Sequence, residues 1–365
     1  MLSFEPGEDQ SQKVLGLRWH SHSDSFGFQV NPLSGNCTKR SILSELARIF
    51  DPFGFLAPLT FTAKRLIQLL WTLKLDWDDD PPADVCHRWE CYQSEFGALA
   101  PLRLCRSLAA ANVIRRELHG FCDASEQGYG AVVYLRIVTR NEVIIWLLSA
   151  KSKVAPLRSI TLPRLELCAA LLLSSLIVYI KQALRGRLSL DAEHAWSDTM
   201  VALSWIRSSP HRWKIFVRNR VASIQKNVVI SSWDHVDTES NPADCCSRGL
   251  SSRELMDHSM WWHGPDWLLK FEPRAEPAYS LDNLPEEEKK VVTLISLDSP
   301  NMADALVDRF SSLDKICRVV AYCLRFIDQA RIRSVPDTLA IDQIELHSAL
   351  LVLVIRTISV FWRGN

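Results

Sequence analysis

The fold is decided by residues 118–150, LHGFCDASEQGYGAVVYLRIVTRNEVIIWLLSA. Three β-like runs follow one another closely in this stretch, at residues 118–126, 129–138 and 142–150. Gly128 and Gly130 mark the first turn, and Arg140 with Asn141 marks the second. This spacing predicts an antiparallel meander of three strands.

The next hundred residues alternate between helical and strand-like patterns. Helices are predicted at 162–185, 199–207 and 211–226, strands at 193–198 and 231–236, and a last helix from Asn241-Pro242. Pro163 fits the first turn of the long helix, where proline is tolerated. The order β-β-β-α-β-α-α-β-α therefore predicts an α/β domain at 113–255.

The flanks are predicted to form two further regions, residues 1–112 and 256–365. In the first, apolar patterns indicate strands at Val14–Trp19 and Phe26–Val30 and helices at 38–75 and 83–97, the longer of them interrupted at Asp51–Gly54. In the second, a Trp-rich stretch and an acidic linker at 283–290 precede predicted helices at 308–328 and 341–360. Both flanks are therefore expected to be mainly helical.

Composition and charge restrict the function. Of 365 residues, 47% are hydrophobic and 23% are charged, so a sizeable buried core is expected. The 42 basic and 42 acidic residues cancel, so any contact with nucleic acid must come from a local basic patch. The longest apolar run, Leu167–Ile180, is shorter than the roughly 20 residues of a membrane span and is interpreted as a buried helix. Leu165, Ala169, Leu172 and Leu176 are expected to be buried in it.

The cysteine pattern gives no sign of a metal or redox motif. None of the ten cysteines forms a C-x-x-C pair, and the polar N-terminus does not resemble a secretory signal. We therefore expect reduced thiols and an intracellular protein.

Four carboxylates lie where the predicted order of elements brings them together. Asp123 is in the first strand, Glu166 is in the first turn of the long helix, Asp198 ends the fourth strand and Asp244 opens the last helix. Hydrolysis of a phosphodiester can use two divalent ions about 4 Å apart, and hard Mg²⁺ prefers carboxylate oxygens. The four acids are therefore candidate ligands for two Mg²⁺ or Mn²⁺ ions.

Each acid also has a structural interpretation. Asp123 could form a turn, and Asp198 could cap the helix that follows it. Glu166 and Asp244 could be placed in helix first turns by the helix dipole alone. Spacing by itself leaves these alternatives open.

The domain resembles the ribonuclease H region of BEL/Pao retrotransposon polyproteins, the Pao retrotransposon peptidase-type family region. The resemblance is carried by five segments: FCDASEQGYGAVVYLR (121–136), AKSKVAPLRSITLPRLELCAALLL (150–173), WSDTMVALSWI (196–206), PHRWKIFVRNRVASIQ (210–225) and NPADCCSRGLSSREL (241–255). The flanking KVLGLRW and TKRSILSELARIFDPFGFLAPLT resemble a reverse-transcriptase thumb or connection. WWHGPDWL and SSLDKICRVVAYCLRF resemble the segment that leads towards an integrase.

The resemblance implies a fold, an activity and roles for individual residues. The fold would be a ribonuclease H-like mixed five-stranded sheet with flanking helices, preceded by a mainly helical thumb/connection region and followed by a helical tail. Asp123, Glu166, Asp198 and Asp244 match the family's catalytic acids, and His235 matches a histidine that assists proton transfer or product release. The substrate would be an RNA–DNA hybrid, and the polymerase and integrase portions of the polyprotein would be further partners.

One segment offers local basicity despite the neutral total charge. His211, Lys214 and Arg218 are spaced at i, i+3 and i+7, as on one face of a helix. The opposite face would carry Trp213, Val217, Val221 and Ile224. The basic face could contact phosphates of a hybrid, or it could simply be solvated.

Other activities of such polyproteins lack their residues here. No Tyr/Phe-x-Asp-Asp hairpin supports polymerase activity, and no Asp-Thr/Ser-Gly triplet supports the aspartic peptidase after which the family is named. The last 90 residues hold a single histidine, His347, so an integrase zinc site is not expected. Two hypotheses remain: an active hybrid ribonuclease, or a non-catalytic protein that is either a silent relic or a module for interaction with nucleic acid or protein.

Overall fold

The computed structural model describes residues 11–14, 17–28, 36–271, 312–332 and 341–361. The chain divides into two compact units, Met1–Lys289 and Lys290–Asn365. The first unit holds all the described strands, which are β1 (Ser11–Val14), β2 (Leu17–His20), β3 (Ser25–Phe28), β4 (Leu104–Cys105), β5 (Val113–Ser125), β6 (Gly128–Thr139), β7 (Val143–Val154), β8 (Ala192–Ser197) and β9 (Trp233–His235).

Helices surround these strands. Those described in the first unit are α1 (Lys39–Arg48), α2 (Ala57–Thr72), α3 (Ala83–Glu95), α4 (Leu162–Leu184), α5 (Met200–Arg207), α6 (Ile215–Asn227), α7 (Asp244–Arg248), α8 (Ser252–Asp257) and α9 (Ser259–His263). The second unit contains α10 (Leu313–Ile332) and α11 (Gln343–Phe361), which pack against each other and are joined by an ion pair between Arg325 and Glu345.

The main sheet has five strands in the order β7-β6-β5-β8-β9. The β5–β6 and β6–β7 pairs are antiparallel, whereas β5–β8 and β8–β9 are parallel, so the sheet is mixed. The carboxyl ends of β5, β7, β8 and β9 consequently meet at one edge, where α4 also begins. This confirms the predicted ribonuclease H-like mixed five-stranded sheet with flanking helices.

One face of the sheet is covered by α4, α5 and α6. Leu118, Cys122 and Val133 of the strands pack there against Leu173 and Ile177 of α4. Gly120 permits this close approach, because a Cβ at that position would lie 2.5 Å from Leu173 Cδ1. This face is therefore a tightly packed apolar layer.

Helix α4 is, by length and composition, the one described helix that could cross a membrane. It contacts β5, β6 and α6 along its length, so within this fold it is a core helix, as interpreted from the sequence. Leu165, Ala169 and Leu176 are buried as expected. Leu172, which was expected to be buried too, is only half-buried, and Leu173 occupies the core position.

The opposite face of the sheet is covered by the N-terminal helices and by α7 to α9. Phe121, Val132 and Tyr134 share one apolar core with Leu59 of α2 and Trp261 of α9. The indole of Trp261 donates to the Phe55 carbonyl oxygen at 3.0 Å, which ties α9 to the start of α2. Residues on both sides of the proposed 112/113 boundary thus share a core, and the domain boundaries themselves remain predictions.

The remaining differences from the sequence-based prediction are local. The expected strand Val14–Trp19 is instead a hairpin of β1 and β2, in which Val14 pairs with Leu17. Helix α3 ends at Glu95, two residues earlier than predicted. Val30, the linker at 283–290 and the start of the helix predicted at 308–328 lie outside the described residues.

Candidate active site

Three of the four predicted acids meet at the carboxyl edge of the sheet. Asp123 lies near the end of β5, Asp198 directly follows β8, and Glu166 is in the first turns of α4. One carboxylate oxygen from each lies within 4.8 Å of the others. The parallel pairing of Cys122 with Ser197 sets Asp123 and Asp198 side by side, and we call these three residues the acid cluster.

Two members of the acid cluster are buried, and the third, Asp198, is half-buried. Asp123 is 3% exposed and Glu166 is 7% exposed. Burial raises the pKa of Asp123 to about 7, and the neighbouring Asp198 charge adds to the effect. Burial likewise raises the pKa of Glu166 to about 9, reinforced by the charges of Asp123 and Asp198. The three carboxylates therefore resist being charged together unless a cation joins them.

Two carboxylate oxygens of the acid cluster have no hydrogen-bond partner among the described residues. Ser247 Oγ donates to Asp123 Oδ2, and Thr238 Oγ1 donates to Asp198 Oδ2 at 3.2 Å. Glu166 Oε2 and Asp198 Oδ1 are buried and have no hydrogen-bond partner among the described residues. Buried polar atoms without partners are costly, and hard carboxylate oxygens are the ligands that Mg²⁺ and Mn²⁺ prefer. The donor set thus fits a divalent cation.

Asp244 lies beside the acid cluster and not within it. Its carboxylate forms an i,i+4 ion pair with Arg248 on the same short helix, α7. Its charge nevertheless contributes to raising the pKa of Asp123, so the two groups are neighbours. The group of carboxylates within 4.8 Å of one another therefore contains three of the four acids, and the fourth, Asp244, is paired with Arg248. The role of Asp244 as a metal ligand stays a prediction.

Neutral side chains fix α7 against β5. Asn241 Nδ2 donates to the Cys122 carbonyl oxygen at 3.1 Å, and Ser125 Oγ donates to the Ser247 carbonyl oxygen at 2.6 Å. Gly130 of β6 leaves room for α7, since a Cβ there would lie 2.2 Å from Cys246 Cβ. The sequence interpretation did not identify Asn241, Ser247 or Thr238 as residues of the site. Their only signal was their position within or near the NPADCCSR segment.

His235 ends β9 next to the acid cluster. Its Nε2 lies 3.1 Å from the Asp198 backbone oxygen, so the imidazole is placed to hold the Asp198 loop. The Val236 amide also donates to the Ser197 carbonyl oxygen at 3.1 Å. The histidine thus lies where the resemblance placed it, and its part in proton transfer or product release stays a prediction.

The predicted basic helical face is not one face of a helix. His211 lies in a 3-10 turn at Pro210–Arg212, and α6 begins only at Ile215, after the extended Trp213 and Lys214. Trp213, Val217, Val221 and Ile224 are buried as expected. His211 and Lys214 are exposed and Arg218 is half-buried. The helical spacing was wrong because α6 starts too late, and binding of nucleic acid by these residues stays a prediction.

Two arginines that the sequence interpretation passed over flank the Phe216 ring. Arg164 is two residues before Glu166 on α4, and its guanidinium carbon lies 5.0 Å from the centre of the Phe216 ring. The guanidinium carbon of Arg220 on α6 lies 3.5 Å from the same ring centre. The Phe216 ring thus brings two guanidinium groups together, and one of them belongs to a residue two positions before Glu166.

A second polar cluster lies towards the opposite end of β5. One ligand atom from each of Glu117, His119 and His194 lies within 4.8 Å of the others. Arg136 Nη1 contacts Glu117 Oε2 at 2.6 Å and Arg115 Nε contacts Glu117 Oε1 at 2.9 Å. The carboxylate is already neutralised by two guanidinium groups, which would repel a metal cation, so this is a structural network.

One family model matches the part of the chain that contains the acid cluster. Residues 38–199 match the family model described as the Pao retrotransposon-like RNaseH-like domain. The match includes α1 to α3 as well as the acid cluster, whereas α7 lies beyond it. No curated protein matches the chain significantly.

Three solved structures that resemble part of the chain are ribonucleases H. RNase H1 from the halophilic archaeon Halobacterium salinarum NRC-1 is 13% identical, with 40% of this chain and 99% of that chain covered and a TM-score of 0.24. LC11-RNase H1 in complex with an RNA/DNA hybrid is 12% identical, with 36% and 91% covered and a TM-score of 0.25. LC11-RNase H1 isolated from compost by a metagenomic approach gives 12%, 36% and 90%, with a TM-score of 0.22.

The fold assignment rests on the strand order and on the family match. The matched family is described by an RNaseH-like domain, in agreement with the lack of aspartic peptidase residues in the sequence. Residues 38–199 are therefore similar to a Pao retrotransposon-like RNaseH-like domain, and the acid cluster of Asp123, Glu166 and Asp198 lies within the matched range.

Proposed function

We propose that the chain is a metal-dependent ribonuclease that hydrolyses the RNA strand of an RNA–DNA hybrid. The observation that carries the proposal is the acid cluster: three carboxylates within 4.8 Å of one another, of which Asp123 and Glu166 are buried and Asp198 is half-buried, and two of the three have a buried oxygen without a partner. Arg115 and Arg136 form ion pairs with Glu117 of the other cluster, whereas among the described residues no arginine or lysine forms an ion pair with Asp123, Glu166 or Asp198.

The residues divide the work as follows. Asp123, Glu166 and Asp198 would hold divalent Mg²⁺ or Mn²⁺, two ions being expected when Asp244 joins them. Bound divalent ions generate a hydroxide nucleophile near neutral pH and stabilise charge on the leaving oxygen. Thr238 and His235 hold Asp198, and Arg164, Arg220 and Lys214 would contact backbone phosphates of the hybrid.

We also propose which domains neighbour this one and where in the cell it acts. Within a retrotransposon polyprotein, the polymerase and integrase portions would be its neighbours, and the protein would act in a cytoplasmic virus-like particle or in the nucleus. The alternative is a catalytically silent relic, and a cleavage experiment distinguishes the two.

The direct test is cleavage of a labelled RNA–DNA hybrid by the full chain across a Mg²⁺ and Mn²⁺ titration. Asp198→Asn removes one charge and one hard oxygen ligand while nearly keeping the shape. Cleavage should fall at least about 100-fold, as expected when several kcal/mol of charge stabilisation are lost. Asp191→Asn is the matched control, because Asp191 accepts from the Arg116 amide at the opposite end of the sheet. A folded wild type that leaves the hybrid intact would favour the relic.

A further inference from the structure

Ser247 is an uncharged residue that hydrogen-bonds to Asp123 of the acid cluster. It lies on α7, three residues after Asp244, and it is fully buried. Its hydroxyl donates to Asp123 Oδ2 and lies 3.1 Å from the Asp244 backbone oxygen. A serine at this point can therefore act on the orientation of Asp123.

The backbone around Ser247 is held independently of that hydroxyl. The Ser247 carbonyl oxygen accepts from Ser125 Oγ at 2.6 Å, and the Asn241 amide binds the Cys122 carbonyl oxygen at 3.1 Å. These contacts link α7 to β5 on both sides of Asp123. Removing the Ser247 hydroxyl should consequently leave α7 in place and release only the Asp123 carboxylate.

We propose that Ser247 is a positioning residue for the acid cluster: its hydroxyl holds one Asp123 oxygen so that the other is directed to a divalent cation. The inference rests on the proposed function, since it concerns how the same site holds its metal. Groups that hydrogen-bond to metal ligands fix the ligands' orientation, and their loss typically weakens metal binding about 10–100-fold.

A purely structural role for Ser247 makes a different prediction, and the chain offers a matched control. Ser204 on α5 is also a buried helical serine, and its hydroxyl donates to the carbonyl oxygen three residues earlier, Val201, at 3.0 Å. It shares the burial and the i−3 hydrogen bond of Ser247 but has no recorded contact with Asp123. Comparison of the two serines isolates the effect of the carboxylate contact.

The experiment is Mn²⁺ binding to the full chain without nucleic acid, measured by titration calorimetry. Ser247→Ala should weaken Mn²⁺ binding about 10–100-fold, whereas Ser204→Ala should leave it within about twofold of wild type if only contacts to metal ligands matter. Ser247→Thr keeps the hydroxyl and should restore binding towards the wild-type value. Hybrid cleavage should show the same order, with a higher Mg²⁺ requirement for Ser247→Ala.

A second variant keeps the test valid if Ser247→Ala does not fold. Ser247→Cys nearly preserves the side-chain volume but replaces the hydroxyl by a weak donor, so it should also weaken Mn²⁺ binding. Wild-type Mn²⁺ affinity in both the alanine and the cysteine variants would overturn the role of Ser247 and leave the proposed function intact. Failure of the wild type itself to bind Mn²⁺ would overturn both.

Discussion

Two buried carboxylate clusters on the same strand, β5, have opposite electrostatic states. Glu117 and Asp123 are almost equally buried, at 5% and 3% exposure. Burial alone would raise the pKa of Glu117, but hydrogen bonds from His119 and Arg136 lower it to about 2. Burial and the Asp198 charge instead raise the pKa of Asp123 to about 7.

The difference lies in the partners that each cluster has within the chain. Arg136 satisfies Glu117 and also donates to the Leu268 carbonyl oxygen at 2.7 Å, which fastens the segment after α9 to the sheet. The acid cluster has neutral donors, Ser247 and Thr238, and Arg248, whose charge acts on Asp123, is paired with Asp244. Burial identifies neither cluster as functional; the unsatisfied negative charge distinguishes the one that can take up a cation.

The largest effect on stability is expected at the satisfied cluster. Arg136→Met would leave the buried Glu117 carboxylate without its main partner, which should destabilise the protein by about 3–5 kcal/mol. The free energy of unfolding in urea measures this. The Arg136→Met/Glu117→Gln double variant should lose clearly less than the sum of the two single variants. Additive losses would show that the pair is not the source of the effect.

At the acid cluster, loss of a charged group is expected to stabilise the protein and not to destabilise it. A folded-state pKa of about 9 for Glu166 means that the folded protein retains a proton that the unfolded chain loses above about pH 4.5. The contribution of Glu166 to stability therefore falls as pH rises from about 4.5 towards 9. In the absence of divalent ions, Glu166→Gln should then be more stable than wild type at pH 8, by about 1–3 kcal/mol.

This gain should be specific in pH and in position. At pH 4.5 the two proteins should differ little, because Glu166 is protonated in the fold. Glu126→Gln, at an exposed site next to β5, is the matched control and should show no such pH dependence. Urea unfolding with a chelator at pH 4.5 and pH 8 provides the comparison. An equal difference at both pH values would contradict the assigned pKa direction.

The sequence predicted the central fold well because its signals were local and strong. Three β runs joined by short turns, followed by an apolar helix, define the sheet and the crossover, and the order of elements placed Asp123, Glu166 and Asp198 together. A helix that is apolar on nearly every side carries no pattern that selects its buried face, which is why Leu172 was expected in place of Leu173.

Other features depend on tertiary contacts that no local pattern encodes. Pro210 begins a 3-10 turn and the buried Trp213 is extended, so the helical spacing of His211, Lys214 and Arg218 had no helix to belong to. Ser247 and Thr238 are neutral residues whose importance appears only when distant segments meet Asp123 and Asp198. Arg248 on α7 likewise forms an ion pair with Asp244 beside the cluster.

The comparison of the two clusters can be settled by anomalous diffraction from crystals of the full chain grown with Mn²⁺. We expect anomalous density between Asp123, Glu166 and Asp198, about 2.2 Å from their carboxylate oxygens as is typical of such ions. We expect no such density at Glu117, His119 and His194, where the arginines already neutralise the carboxylate. Density at the second cluster, or its absence from the first at saturating Mn²⁺, would contradict the central claim.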